Sequence, residues 1–86
     1  HGAGHPQLGE SHRALARILE RRGDLQAALA ESRAALSILA GVRGAGHPIV
    51  LSLRQDRART LVHAGDLEAA RAELELALAG EPQSFD

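Results

Sequence analysis

Arg13, Arg17 and Arg21 recur every four residues, a spacing that lines them along one face of a helix. A stripe of guanidinium groups can hold carboxylates through paired N–H donors, a geometry lysine cannot reproduce. All ten basic residues of the chain are arginine. The other reactive side chains suggest less. His5 and His47 each close a Gly-Ala-Gly-His-Pro stretch, so they read as parts of a turn. His12 and His63 lie far apart, with no Cys and no carboxylate set at metal-ligand spacing, so no metal site is expected. Ser11, Ser32, Ser37, Ser52 and Ser84 have no base and orienting acid arranged around them. The glycines do not form a strand-to-helix phosphate loop. The residues therefore predict no catalytic site, no cofactor and no enzyme.

Length and charge narrow the reading further. Eighty-six residues make one small domain, and a formal net charge of -1 argues against a general nucleic-acid binder. No apolar run approaches the ~18 residues of a membrane span. The chain starts at His1 and contains no Met, which reads as an excerpt of a longer protein or a processed remnant. Arg without Lys, with much Ala and Gly, points to a GC-rich bacterial genome, and the expected location is cytoplasmic. Phe85 is the one aromatic residue.

The elements that would carry the arginines come from an internal repeat. Gly2-Ala3-Gly4-His5-Pro6 returns 42 residues later as Gly44-Ala45-Gly46-His47-Pro48, and Gly23-Asp24-Leu25 returns as Gly65-Asp66-Leu67. Aligning residues 2–44 with 44–86 gives 17 identities in 43 pairs, grouped at turns and helix faces. The chain thus divides into one repeat over 1–43 and another over 44–86. Each unit reads as two helices. Pro6 and Pro48 suit a first helical turn, where their missing N–H would be unpaired anyway. Gly23 and Gly65 suit the left-handed residue that closes a helix, and Asp24 and Asp66 can cap the next one. In the second helices Leu25, Ala28, Leu29, Ser32, Ala35, Leu36 and Leu39 recur at helical steps, as do Leu67, Ala70, Leu74, Ala77 and Leu78. The first helices carry Leu8, Leu15, Ile18 and Leu19, then Ile49, Val50, Leu53, Leu61 and Val62. Residues 41–46 link the units, and Glu81-Pro82 ends the last helix. The pattern predicts four antiparallel helices near 6–22, 24–41, 48–64 and 66–80, with no strand.

With these markers the chain resembles tetratricopeptide repeats (TPR), in the 42-residue variety found in kinesin light chains and many bacterial regulators. The matching residues are Gly2, His5, Pro6, Gly44, His47 and Pro48, the corner pairs Gly23-Asp24 and Gly65-Asp66, and small residues inside the helices. Among these last are Ala16, Ala28, Ala35, Ala58, Ala70 and Ala77, and Pro82 matches the proline that closes an ordinary unit. Three features depart from the pattern. Leu19, Leu25, Leu61 and Leu67 stand where the family often has aromatics. Arg13-Ala14 and Gln55-Asp56 replace the paired Asn of the kinesin type. Arg57 replaces a buried Leu, and a partly covered face would let it snorkel to solvent.

The resemblance implies an all-α, right-handed α-solenoid whose first helices line a concave groove. Groove-facing places would be Glu10, Arg13, Arg17, Glu20 and Arg21, then Ser52, Gln55, Arg59, Val62 and His63. The candidate peptide-binding residues are accordingly Arg13, Arg17, Arg21, Gln55, Arg59 and His63, and the expected partner is a protein or acidic peptide. The remaining acids named for the second helices, Glu31, Glu68, Glu73 and Glu75, would stay clear of it. The alternative for the stripe is a solvated face on which Glu10 and Glu20 pair locally at helical spacing. Two other roles stay open: a structural segment that self-associates through exposed repeat ends, and an accessory domain of a larger signalling or regulatory protein.

Overall fold

The computed structural model describes residues 5–80, and within them the chain folds as four helices with no strand. They are α1 (Pro6–Arg21), α2 (Leu25–Arg43), α3 (Pro48–His63) and α4 (Leu67–Gly80). Both hairpin corners are built alike. Gly23 and Gly65 each take φ 84°, a left-handed conformation that lets the chain reverse without a Cβ clash. The Asp24 N–H then bonds back to the Leu19 carbonyl and the Gly23 N–H to that of Glu20, at 2.9 Å each. Asp66 and Gly65 repeat the pattern onto Leu61 and Val62 at 2.9 and 3.0 Å. These paired closures satisfy the last carbonyls of α1 and α3 and fix each corner angle.

The helix starts differ between the two units. The His47 Nδ1 accepts the Ile49 N–H at 3.1 Å, and the Asp66 carboxylate accepts the Ala69 N–H at 3.2 Å. Their counterparts His5 and Asp24 make no side-chain cap. The link between units is shorter than the sequence suggests, because Gly41 lies inside α2, whose last residue is Arg43. Gly44, with φ 94°, makes the break instead. Glu81-Pro82, the expected stop for the last helix, lies outside the described residues.

The core runs through the middle of the chain. Ala35 and Leu39 of α2 meet Val50 and Leu53 of α3, and Leu36, Ala40 and Ile49 pack around them. A second cluster joins Ala58 and Leu61 of α3 to Ala70 of α4, with Leu29 of α2 and Ala69 against it. Helices α1 and α2 approach closely at Gly9, where an added Cβ would come within 2.7 Å of the Leu39 Cγ. The apolar positions of α1 are less covered than their periodicity implies: Leu8, Leu15 and Ile18 are exposed.

One polar clamp is repeated with the fold. His12 Nδ1 of α1 meets Glu31 of α2 at 2.6 Å, and 42 residues later Arg54 of α3 meets Glu73 of α4 at 2.9 Å. Each spans 19 residues and ties the two helices of one hairpin. The second clamp also holds Arg57, which does not snorkel. It is buried, its guanidinium 3.6 Å from Glu73, and its Nε has no hydrogen-bond partner among the described residues. Burial pulls its pKa down, as do Arg33 and Arg54, while Glu73 opposes them. The surrounding helices cover this position, so the charge must be neutralised in place.

Two stability outcomes follow from this packing. Gly9→Ala forces the buried Leu39 aside and should cost about 1–3 kcal/mol in chemical denaturation. Glu73→Gln leaves two arginines without their carboxylate and should cost ~3 kcal/mol, whereas Arg57→Leu should be near neutral because Arg54 still holds Glu73. The first unit already carries Leu15 at that place. Equal losses from the two Glu73 and Arg57 variants would contradict this account.

Candidate functional site

Helices α1 and α3 lie side by side, and their shared face is bridged by charge. The Arg13 guanidinium donates to the Ser52 hydroxyl at 2.8 Å and to Asp56 at 3.3 Å. Arg17 stands 3.6 Å from the same carboxylate, and Arg59 3.5 Å from its other oxygen. Asp56 is thus shared by three guanidinium groups. Arg59 also donates twice to Glu20, at 3.3 Å each, and the His63 Nδ1 lies 3.3 Å from Glu20. These hydrogen bonds to Glu20 hold the Arg59 pKa up, with the charges of Glu20 and Asp56 adding to the effect.

The contacts follow a rule of sequence offset. Arg13 to Ser52, Arg17 to Asp56 and Glu20 to Arg59 are 39 residues apart, while Arg13 to Asp56 and Glu20 to His63 are 43 apart. In a 42-residue repeat, a side chain of α1 therefore meets positions three before and one after its own counterpart on α3. That offset is the signal that would have found Glu20 and Asp56 as counter-ions. Local helical pairing finds only the Asp56–Arg59 contact three residues along α3, because Glu20 bonds across the repeat and not along its own helix.

The candidate residues divide accordingly. Arg13, Arg17, Arg59 and His63 are drawn together through Asp56 and Glu20. Arg13 is half-buried, while Arg17 and Arg59 remain about half exposed, at 53% and 51% of their side chains. Arg21 is exposed and makes no ion pair among the described residues, but it lines a shallow depression of about 340 Å³ with Arg17, Glu20, Asp56 and Arg59. Gln55 is exposed and stands outside the network. The acids of the second helices do stay away from this face, with Glu31 and Glu73 held in the two clamps and Glu75 paired to Arg71. The face is nonetheless not free of acid, since Asp56 and Glu20 belong to the first helices themselves.

The bond lengths say what this arrangement can do. Contacts of 3.3–3.6 Å exceed the ~2.7–2.9 Å of a tight charge-assisted hydrogen bond, and three arginines share one carboxylate. The guanidinium groups are oriented but not saturated. Among the described residues no group of three or more His, Asp or Glu side chains could hold a metal ion, and no helix is long and apolar enough to cross a membrane.

A tetratricopeptide repeat profile matches residues 7–80, nearly the whole described fold. The chain belongs to the tetratricopeptide repeat family. TPR modules generally mediate protein–protein interaction and are generally not catalytic. No curated protein and no solved structure matches the chain. That match spans both hairpins, which are joined through the core described above.

The network makes a measurable contribution to this TPR fold. Asp56→Asn removes the shared counter-ion from the half-buried Arg13 and should lower stability by ~1–2 kcal/mol. Glu10→Gln, at an exposed acid of α1, should change it by less than ~0.5 kcal/mol. Thermal denaturation of both variants checks the difference, and equal effects would show that Asp56 is only a surface charge.

Proposed function

We propose that this TPR module binds a partner protein through the face formed by α1 and α3, and that the partner segment contributes acidic side chains. The observation that supports this is the arrangement of Arg17, Arg21 and Arg59 around one open depression, with Asp56 and Glu20 as their only acidic lining. Three guanidinium groups face two carboxylates there, so a further carboxylate is electrostatically favoured. Arg13 acts behind them as a positioning group, held by Ser52 and Asp56. Asp56 and Glu20 keep the arginine side chains ordered, so less rotamer freedom is lost when a partner docks. They also compete with the partner, which keeps the attraction moderate and selective for segments that can reach Arg17 and Arg21 at the rim. The role is that of a non-enzymatic interaction scaffold.

A titration with acidic peptides tests the reading. Arg17→Glu with Arg59→Glu should weaken binding at least tenfold, while Arg33→Glu with Arg43→Glu, which matches it in charge but lies on α2, should weaken it far less. Affinity should fall as salt rises, because the rim charges are exposed to screening. Equal loss from the two pairs, or no dependence on salt, would reduce this face to solvated charge.

A further inference from the structure

A second depression shares no residue with the α1–α3 face and carries charge that the fold does not use. It is open, has a volume of about 420 Å³, and lies between α2 and α4 with buried residues of α3 at its base. Leu29 and Ala30 of α2, Leu61 of α3 and Ala69 of α4 give it an apolar lining, and Arg33 and Arg57 give it a cationic end. The one acid among its lining residues, Asp66, is engaged as the cap of α4, accepting the Ala69 N–H at 3.2 Å. Asp66 also stands seven residues before Glu73, roughly 10 Å along the axis from the level of Arg57.

Arg57 is the unusual member of this groove. It is only 8% exposed, yet its Nε has no hydrogen-bond partner among the described residues. Its Nη1 stands 3.6 Å from Glu73, beyond hydrogen-bond length, and the short bond of that carboxylate goes to Arg54 at 2.9 Å. Contact through Nη1 leaves the guanidinium edge that carries Nε without an acceptor. A buried donor left unpaired costs about 1–3 kcal/mol. The repeat does not require arginine here, since the equivalent place in the first unit is Leu15.

The surrounding charge says what would satisfy that edge. Arg33 is exposed and forms no ion pair among the described residues, and its charge acts on Arg57, as does that of Arg54. Three guanidinium groups thus share one carboxylate, Glu73, which leaves an excess of two positive charges. A second carboxylate would cancel only half of it. A phosphate monoester carries a charge of about -1.5 to -2 at neutral pH and presents three acceptor oxygens, so it can meet arginines from two helices at once. The apolar lining beside them suits the organic group to which the phosphate is attached.

We propose that the α2–α4 groove binds a phosphate monoester carried on an apolar group, with Arg57 and Arg33 holding the phosphate and Leu29, Leu61 and Ala69 lying against the apolar part. The site is independent of the acidic-partner reading of the α1–α3 face.

Titration of the chain with phenyl phosphate, followed by backbone amide shifts and by calorimetry, tests the assignment. Saturable shifts should centre on Arg33, Arg57 and Ala69, while those of Arg17 and Arg59 stay in place. Arg33→Gln and Arg57→Leu should each weaken binding about tenfold or more, and Arg71→Gln, at an exposed arginine outside the groove, should leave it unchanged. Arg33 is exposed, so its variant keeps the test decisive even if Arg57→Leu perturbs the fold. Inorganic phosphate should bind more weakly than phenyl phosphate because it leaves the apolar lining unused, and benzoate more weakly because it is a monoanion. A short phosphotyrosine peptide separates the two sources of the group. Binding as tight as that of phenyl phosphate or tighter assigns the site to a partner chain, and weaker binding assigns it to a small ester. Shifts that do not saturate or that centre on Arg17 and Arg59, benzoate binding equal to that of phenyl phosphate, or Arg33→Gln binding like the wild type overturns the proposal.

Discussion

Two hairpins become one body because Ala35 and Leu39 of α2 meet Val50 and Leu53 of α3, side chains almost wholly removed from water. The chain has almost no aromatic side chain to supply area in bulk, so burial comes from close approach of small residues. Gly9 against Leu39, and Ala28, Ala35, Ala70 and Ala77 on the second helices, let backbones come near each other. Tight packing of this kind tolerates little change in volume. It also leaves the face between α1 and α3 free to be polar, since the apolar contacts have been made elsewhere.

That freedom is used for charge. The α1–α3 boundary holds a line of ion pairs from Arg13 through Asp56 and Arg59 to Glu20 and His63. Such partly exposed pairs contribute modestly to stability, typically below ~1 kcal/mol each. Their larger consequence is order: the arginines of a recognition face point in defined directions before any partner arrives. The Arg54, Arg57 and Glu73 cluster is different in kind, because its members are largely removed from solvent and both arginines depend on the one Glu73 carboxylate.

Much of this was legible in the residues. The prolines, the Gly-Asp corners and the periodic faces fixed four helices to within a few residues, because helix ends are decided by local backbone chemistry. Gly41 misled, since a glycine in a helix costs only ~1 kcal/mol and packing can override it. Periodicity showed which face of α1 is apolar but not whether a neighbour covers it, so the exposure of Leu8 and Leu15 had to come from the fold. The sequence suggests a snorkelling Arg57 because its counter-ion, Glu73, lies on the next helix. The role of Asp56 was hidden for a similar reason. Two of its three partners are 39 and 43 residues away, and its own counterpart in the first unit is the uncharged Ala14.

The repeated clamp has an energetic meaning of its own. His12 with Glu31 and Arg54 with Glu73 each join helices of the same hairpin, while a separate apolar layer joins one hairpin to the next. Couplings of these two sorts alternate along the chain, and each acts only on its neighbours. The molecule therefore behaves as a short one-dimensional lattice: opening can begin at α1 or at α4 and advance inward without disturbing the far hairpin. Backbone amides around Leu39, Val50 and Leu53 should exchange with solvent slowest, with protection falling away toward both ends.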